Sequence, residues 1–407
     1  MRLEKIFDFF ASLKLSVVIL VLSLVLVFVG TLAQEPLGLY LTQDRFFKSM
    51  FVDAASMMAA IKKLLQMFGV YLEPSNAMQV KAAVRIPVFP GGYLLGFAFL
   101  LNLLASQIKT FELSWRKFGL QLIHIGLMLL LLGQLITDIF SVESTMHIRE
   151  GKSSNYASVD AYCELAVVDA TEADKDRVTA IPQDIVMTER EIRHESLPFV
   201  IRVNKFYKNS LVENRQPKDT LQPPATQGFA PSVSIRELPH ETAINRRDMS
   251  SAVIEIVPLD GNGTLGTWLV SMWFSEEQHV HYGGRDFRIS LRPQRNYKPY
   301  SLHLLEFTHE KYLGTDIPKD FSSHVKLKNA VTGEERDVRI YMNNPLRYGG
   351  ETYYQSSYDP DDRGTVLQVV RNPGWLTPYL ACVVISLGLL MQFGFHLVHF
   401  ITKRNDA

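Results

Sequence analysis

Three of the eleven histidines lie inside long apolar stretches, where an ionisable side chain is rare unless it has a function. His124 lies seven residues after Lys117, and His396 lies seven residues before Lys403. On helices both would lie about 10 Å inside the charged boundary, and His399 follows His396 on the same face. Neutral imidazoles at one depth on two helices are the donors that bis-histidine ligation of haem iron requires. Alternatively, His124 only bonds a neighbouring helix, and the other two only lie at the membrane interface.

Other residues with chemical potential are scattered. His279 and His281 form an HxH pair that on a strand would face one side and could bind a metal, but no third ligand is near. We interpret that pair as ordinary surface. The two cysteines, Cys163 and Cys382, form no CxxC pair, and we interpret Cys163 as a small buried residue. Neither a GxSxG motif nor a phosphate-binding glycine motif occurs, so we predict no catalytic residue in this chain.

The elements that would position the three histidines are four stretches without any Asp, Glu, Lys or Arg, each at least 20 residues long. Twenty helical residues span about 30 Å, which is the thickness of the hydrocarbon core of a bilayer. The stretches are 15–34, 88–108, 118–137 and 374–402. The sequence therefore predicts a polytopic membrane protein with four transmembrane helices. Because the first stretch is longer than the apolar part of a signal peptide, we expect it to remain uncleaved.

Basic residues near the ends of these stretches predict the orientation of the chain, with both termini in the cytoplasm. They are Arg2, Lys5, Lys14, Lys109, Arg116, Lys117, Lys403 and Arg404. Segments 35–87 and 141–373 are then expected on the exported side of the inner (cytoplasmic) membrane. Segment 35–87 carries six basic residues, which departs from the rule, but they are spread over 53 positions. The predicted domains are 1–34, 35–87, 88–140, 141–373 and 374–407.

Segment 141–373 has the pattern of an all-β domain. Short runs of β-branched and aromatic residues occur at 163–168, 199–203, 252–257, 287–291, 302–307 and 366–370. Hairpin turns are predicted at 260–263 and 332–335, and a long loop at 214–231. The fold class is therefore four transmembrane helices with a large antiparallel β domain, a sandwich or barrel, inserted between helices three and four.

Residues 45–67 have apolar positions at helical spacing. They predict a helix that either lies on the outer membrane surface or packs against the β domain.

Charge excludes one class of function. The chain has 42 basic and 42 acidic residues, so it offers no electrostatic surface for nucleic acid. A secondary transporter is disfavoured because four spans without paired broken helices do not match the usual repeat architecture.

Several stretches together resemble the ResB (CcsB) family of system II cytochrome c biogenesis proteins. Trp115-Arg116-Lys117 followed by His124-Ile125-Gly126-Leu127 resembles the family's third span with its single histidine. The strongest likeness is the motif at 344–350 leading into 354–358. Further matching stretches are 13–15, 30–32, 131–133, 197–199, 312–315, 318–323 and 371–374. The resemblance covers nearly the whole chain and is weakest over 35–87 and 214–249.

The resemblance implies that this chain works with a CcsA (ResC) membrane partner as a cytochrome c synthetase, moving haem b outward and presenting it, reduced, to CxxCH apocytochrome c. CcsA proteins carry a tryptophan-rich haem-binding segment, whereas the four tryptophans here are dispersed. Covalent attachment is therefore expected mainly in the partner, with this chain as a non-catalytic or accessory subunit.

The resemblance also implies a role for one histidine. In fused family members a transmembrane histidine of the ResB half ligates haem together with one from the CcsA half, and by position the former maps onto His124. The haem would then be bound transiently and shared with the partner. His396 and His399 are not part of that pattern; as candidate haem-binding residues they would help haem enter from the cytoplasm, or have no role.

A second hypothesis makes the chain a non-catalytic membrane scaffold or apocytochrome chaperone without a haem ligand of its own. An exposed group of aromatic and arginine side chains would then form the binding surface. Its members would be Arg347, Tyr348, Tyr353, Tyr354 and Tyr358. The alternative for the same residues is ordinary packing within a β-sheet.

Overall fold

The structure is a computed structural model, which describes residues 2–71, 86–112, 114–172, 176–215, 222–239, 247–260, 263–314 and 318–405. The chain divides into two compact units. A helical unit consists chiefly of Met1–Ser141 and Asn372–Ala407, and a β unit of Val142–Glu241 and Arg246–Arg371.

The helical unit contains seven helices and one short strand pair among the described residues. They are α1 (Arg2–Phe10), α2 (Leu13–Leu37), α3 (Leu39–Thr42), β1 (Phe51–Asp53), α4 (Ala54–Met67), β2 (Pro87–Pro90), α5 (Gly92–Thr110), α6 (Trp115–Phe140) and α8 (Thr377–Asn405). A π-helical turn, Gln43–Phe47, links α3 to β1. Of the helices, α2, α5, α6 and α8 are long and apolar enough to cross a membrane, which confirms the prediction of four candidate spans.

The segment between the first two spans differs from the predicted helix over 45–67. The helix α4 begins only at Ala54, because Asp53 caps it by accepting a hydrogen bond from the Ser56 amide at 2.9 Å. Residues before it form the π-helical turn and β1, which pairs with β2. Because residues Pro87–Pro90 form β2, α5 begins at Gly92 rather than at residue 88. Buried Ala60 of α4 packs in one apolar core with α2.

Helices α6 and α8 pack antiparallel through glycines, as small residues allow in membrane helices. Gly119, Gly126 and Gly133 are spaced seven residues apart along α6. A Cβ atom added at Gly119 would lie 2.7 Å from the carbonyl oxygen of Gly388. One added at Gly126 would lie 2.4 Å from the side chain of Ile385. At Gly119 any side chain larger than a hydrogen atom would therefore clash with the backbone of α8.

The β unit is built almost entirely of antiparallel strands. They are β3 (Val142–Arg149), β4 (Ser153–Asp169), β5 (Arg177–Pro182), β6 (Glu191–Ile192), β7 (Phe199–Tyr207), β8 (Ser210–Asn214), β9 (Val233–Glu237), β10 (Ser251–Pro258), β11 (Thr267–Ser271), β12 (Gln278–Tyr282), β13 (Arg285–Lys311), β14 (Pro318–Asn329), β15 (Glu334–Tyr341), β16 (Leu346–Tyr348), β17 (Glu351–Tyr358) and β18 (Gly364–Arg371). The described part of the unit also contains a short α-helix, α7 (Gln183–Thr188), and a 3-10 turn, Ala230–Ser232. The large antiparallel β domain predicted from the sequence is thus confirmed.

Two main sheets form the β unit. The larger has the order β15-β14-β13-β4-β3-β18-β17-β16, with β12 added on β13 and β5 on β4. The smaller has the order β11-β10-β7-β6. One core joins both sheets, with Phe199 and Ile254 from the smaller and Leu165 and Ile289 from the larger. A second core lies within the larger sheet around Leu302, Val325 and Leu367.

All six predicted strand segments lie within observed strands. Two of them, 287–291 and 302–307, belong to the single 27-residue strand β13. The predicted turn at 332–335 joins β14 to β15, with Gly333 at a φ of 71° that favours glycine. The turn at 260–263 and the loop at 214–231 lie partly outside the described residues.

Candidate functional site

The candidate site is a chain of polar side chains between α5 and α6. Gln121 and His124 are three residues apart on α6 and so lie on one face of that helix. Gln107 reaches them from α5: its Nε2 donates to Oε1 of Gln121, and its Oε1 lies 3.1 Å from Nδ1 of His124. The chain ends at the carbonyl oxygen of Thr110, which accepts from Nε2 of Gln121 at 3.5 Å.

Burial separates the two glutamines from the histidine. Gln107 is 8% and Gln121 6% exposed, while the His124 side chain is half-buried. Among the residues that the structure describes, none hydrogen-bonds Nε2 of His124. A half-buried imidazole with one nitrogen bonded and the other open has the donor chemistry of an axial haem ligand. The residues present therefore fit one axial position on a haem iron.

The structure does not bring His124 and His396 together. Ile385 faces Gly126, so His124 lies two residues from this level and His396 eleven residues from it, in the same direction. The offset is nine residues, or about 14 Å along the helices. The prediction that the two histidines share one depth is wrong, because the fourth apolar stretch is longer than a bilayer requires and its charged end does not mark the same level.

His396 and His399 are both exposed on α8. Nε2 of His396 lies 3.0 Å from Nε2 of Gln392. This ring nitrogen therefore has a hydrogen-bond partner in the side-chain amide of Gln392. His396 therefore differs from His124 in having no comparably open Nε2.

The glycine-rich motif of the β unit forms a buried polar network. Glu351 pairs with Nζ of Lys298, and their side chains are 11% and 10% exposed. The Tyr353 hydroxyl donates to Glu351 at 2.9 Å and lies 2.7 Å from the Tyr300 hydroxyl. Burial raises the pKa of Tyr300 to about 12 and raises the pKa of Tyr353 as well. Gly349 closes the network, since a Cβ there would lie 3.0 Å from the Tyr300 ring.

The group proposed as a binding surface is therefore divided. Tyr353 is fully buried, and Tyr348 and Tyr358 are half-buried, while only Arg347 and Tyr354 are exposed. Most of its aromatic area serves the packing of the larger sheet.

The remaining candidate residues from the sequence are His279, His281 and Cys163, and their surroundings are local structural contacts. Nδ1 of His279 lies 2.9 Å from Oδ2 of Asp286, and Nδ1 of His281 lies 2.9 Å from Oδ1 of the same residue. Asp286 lies on β13, opposite His281 of β12. In the described part of the chain no group of three or more His, Cys, Asp or Glu is arranged to hold a metal ion. Cys163 is buried, which raises the pKa of its thiol to about 11 and makes it a poor nucleophile.

Sequence reasoning did not single out Gln107 and Gln121. The available signal was the presence of amide side chains inside apolar stretches, because such groups need partners in a bilayer. It also missed Lys298 and Glu351, whose pairing joins positions 53 residues apart.

The sequence is similar to a known protein family and to a curated protein. A model of the ResB-like family matches residues 113–219 and 263–366, just over half of the chain, and the first range includes His124. Protein NrfI of Wolinella succinogenes is 29% identical over 292 residues, which cover 71% of this chain and 28% of NrfI. The chain thus spans little more than a quarter of the length of that curated relative.

Proposed function

The chain belongs to the ResB-like family, and from this premise we propose that it handles haem in cytochrome c biogenesis, as a membrane subunit of a system II cytochrome c synthetase. Its partner would be a CcsA/ResC-type membrane protein, and the acceptor a CxxCH apocytochrome c. The cargo would be haem b, bound transiently and shared with that partner. This chain is proposed as the accessory subunit, with thioether formation in the partner.

One observation carries the proposal. His124 lies in an apolar helix, within a region that matches the family, and its Nδ1 is bonded to Gln107 while Nε2 has no partner among the described residues. Such an imidazole can fill one axial position of iron. Iron held by imidazole on both faces stays coordinatively filled and at a tuned potential, so that haem crosses without uncontrolled oxidation. The second imidazole is assigned to the partner, because His396 is about 14 Å away along the helices.

The orientation of the chain completes the proposal. Four spans in the inner membrane would place both termini in the cytoplasm and the β unit, inserted between the third and fourth spans, on the exported side. Haem then passes from His124 towards the side on which apocytochrome c arrives. His396 and His399, near the cytoplasmic end of α8, are proposed to contact haem only on entry.

The test is the absorption spectrum of the complex purified with its partner, compared between wild type and His124→Ala. We expect the bis-histidine Soret and α bands to be lost in the variant and to return when imidazole is added, because free imidazole can occupy the vacated axial position. His324→Ala is the matched control, since it removes an exposed histidine of the β unit; it should keep the bands.

The second candidate is the scaffold without a haem ligand. If His124→Ala keeps its haem content and still matures cytochrome c, the ligand assignment is wrong and the scaffold function replaces it. Exposed Arg347 and Tyr354 favour this candidate only weakly, because most of that motif is buried.

A further inference from the structure

We propose that Gln107 and Gln121 form an amide relay that fixes the proton of His124 on Nδ1, so that Nε2 always presents its lone pair. Both glutamines are positioning residues, because they act only through His124. The iron-binding consequence rests on the proposed function, whereas the position of the proton is a property of this chain alone.

The direction of the relay follows from its fixed end. A backbone carbonyl can only accept, so the group of Gln121 that faces Thr110 must be its NH2. Oε1 of Gln121 then accepts from Nε2 of Gln107, and the remaining Oε1 of Gln107 must face His124. Because that oxygen can only accept, Nδ1 of His124 must be the donor. Each step leaves one arrangement, so the Thr110 carbonyl sets the donor and acceptor roles of both amides.

Two features favour this arrangement over the reversed one. Thr110 is the last residue of α5, so its carbonyl has no donor within its own helix and is available to Gln121. Both amides are more than nine-tenths buried, and water therefore competes little for their hydrogen bonds. Reversing the relay would leave two acceptors, Oε1 of Gln121 and the carbonyl oxygen of Thr110, facing each other in a medium of low dielectric constant.

The consequence for a metal ligand is twofold. A hydrogen bond from the non-ligating nitrogen fixes the ring orientation and makes the ligating nitrogen more basic. Removing such an outer partner typically lowers metal affinity about 10- to 100-fold. A histidine without that partner distributes its proton between both nitrogens.

The experiment compares four forms of the full chain in detergent micelles: wild type, Gln107→Met, Gln107→Glu and Gln134→Met. Methionine matches glutamine in length but cannot accept from Nδ1–H as an amide oxygen does. Glutamate in its neutral form keeps both links of the relay: its O–H donates to Oε1 of Gln121, and its carbonyl oxygen accepts from Nδ1–H of His124. Gln134, exposed on α6, is the matched control for changing an amide in a span.

The first readout is the pair of 15N resonances of His124, assigned by their loss in His124→Ala, in protein without haem. We expect the Nδ1–H form in wild type, Gln107→Glu and Gln134→Met, and a mixture of both forms in Gln107→Met. A wild-type His124 with its proton on Nε2, or a Gln107→Met spectrum equal to wild type, would overturn the proposal. If Gln107→Met acted only by loosening the contact between the helices, Gln107→Glu would show the same mixture of forms. A wild-type spectrum in Gln107→Glu therefore shows that the accepting oxygen, and not packing, positions the proton.

The second readout is haem affinity in the complex with the partner. Gln107→Met should bind haem about 10- to 100-fold more weakly, while the other two variants remain close to wild type. If the resonances behave as expected but His124→Ala retains haem, the relay stands and the proposed function fails. If His124→Ala loses haem and the resonances do not change in Gln107→Met, the function stands and the relay fails.

Discussion

The apolar stretches of the spans and the β unit bury polar side chains in different chemical forms. Within the apolar spans the buried groups are neutral amides, such as Gln107 and Asn102, which bond to each other or to backbone carbonyls. The β unit instead buries ion pairs, as between Arg292 and Glu164, whose Nε and Oε1 atoms are 3.0 Å apart. An unpaired charge costs more free energy in hydrocarbon than elsewhere in a protein. The apolar stretches of the spans therefore bury neutral polar groups.

The two units also pack differently. In the β unit large side chains interdigitate, as in the edge-to-face contact of Phe199 with Phe287, whose ring centres are 5.1 Å apart. Between α6 and α8 the contact is made by glycine against backbone. Lipid tails are as apolar as leucine, so close van der Waals approach, rather than release of apolar surface from water, must hold these helices together.

The largest expected effect tests the charged network of the β unit. Glu351→Ala leaves Lys298 buried without a counter-ion and should lower the free energy of unfolding by about 3 to 5 kcal/mol. Denaturant titration of the full chain in detergent, followed by tyrosine fluorescence, measures it. The double variant Lys298→Met with Glu351→Leu should recover much of the loss. A change below about 1 kcal/mol would mean that this pair behaves like a surface salt bridge.

An intermediate effect tests the close packing of the spans. Gly119→Ala places a Cβ atom against the backbone of Gly388 and Gln392, which cannot move aside as a side chain can. We expect a loss of about 1 to 3 kcal/mol in the stability of the helices, measured by circular dichroism during unfolding in SDS. Gly394→Ala is the control, because no atom lies within 4 Å of a Cβ there. Equal losses at both positions would contradict the packing argument.

The smallest effect concerns pH and Tyr300. Burial raises the pKa of this phenol from 10.0 to about 12, so the folded state keeps a proton that the unfolded state releases. The stabilisation is therefore complete below pH 10 and is lost as pH rises from 10 to about 12. Tyr300→Phe should make the loss of stability over this range less steep in denaturant titrations at each pH. Tyr354→Phe, at an exposed position, should leave the slope unchanged.

The sequence predicted the elements better than their contacts. The four spans follow from the absence of charge over 20 residues, and the strands from short β-branched runs, which are local signals. The level of His396 relative to His124 depends on the register in which α8 packs along α6. The glycine contacts between the two helices set that register, and no local sequence pattern predicts it. Likewise Gln107 and Gln121 become a site only through pairing between helices. The same limit applies to Tyr353, for which the sequence left a binding surface and packing within the sheet both open, and which the fold buries.

The first strand of the β unit bonds to the last. β3 pairs along its length with β18, from Val142 opposite Arg371 to Arg149 opposite Gly364. During synthesis at about 5 to 20 residues per second, β3 therefore waits about 10 to 45 s for its main partner. Until then its edge is an open template for other strands. The nascent β unit thus passes through an interval in which the unpaired edge of β3 can aggregate with other strands.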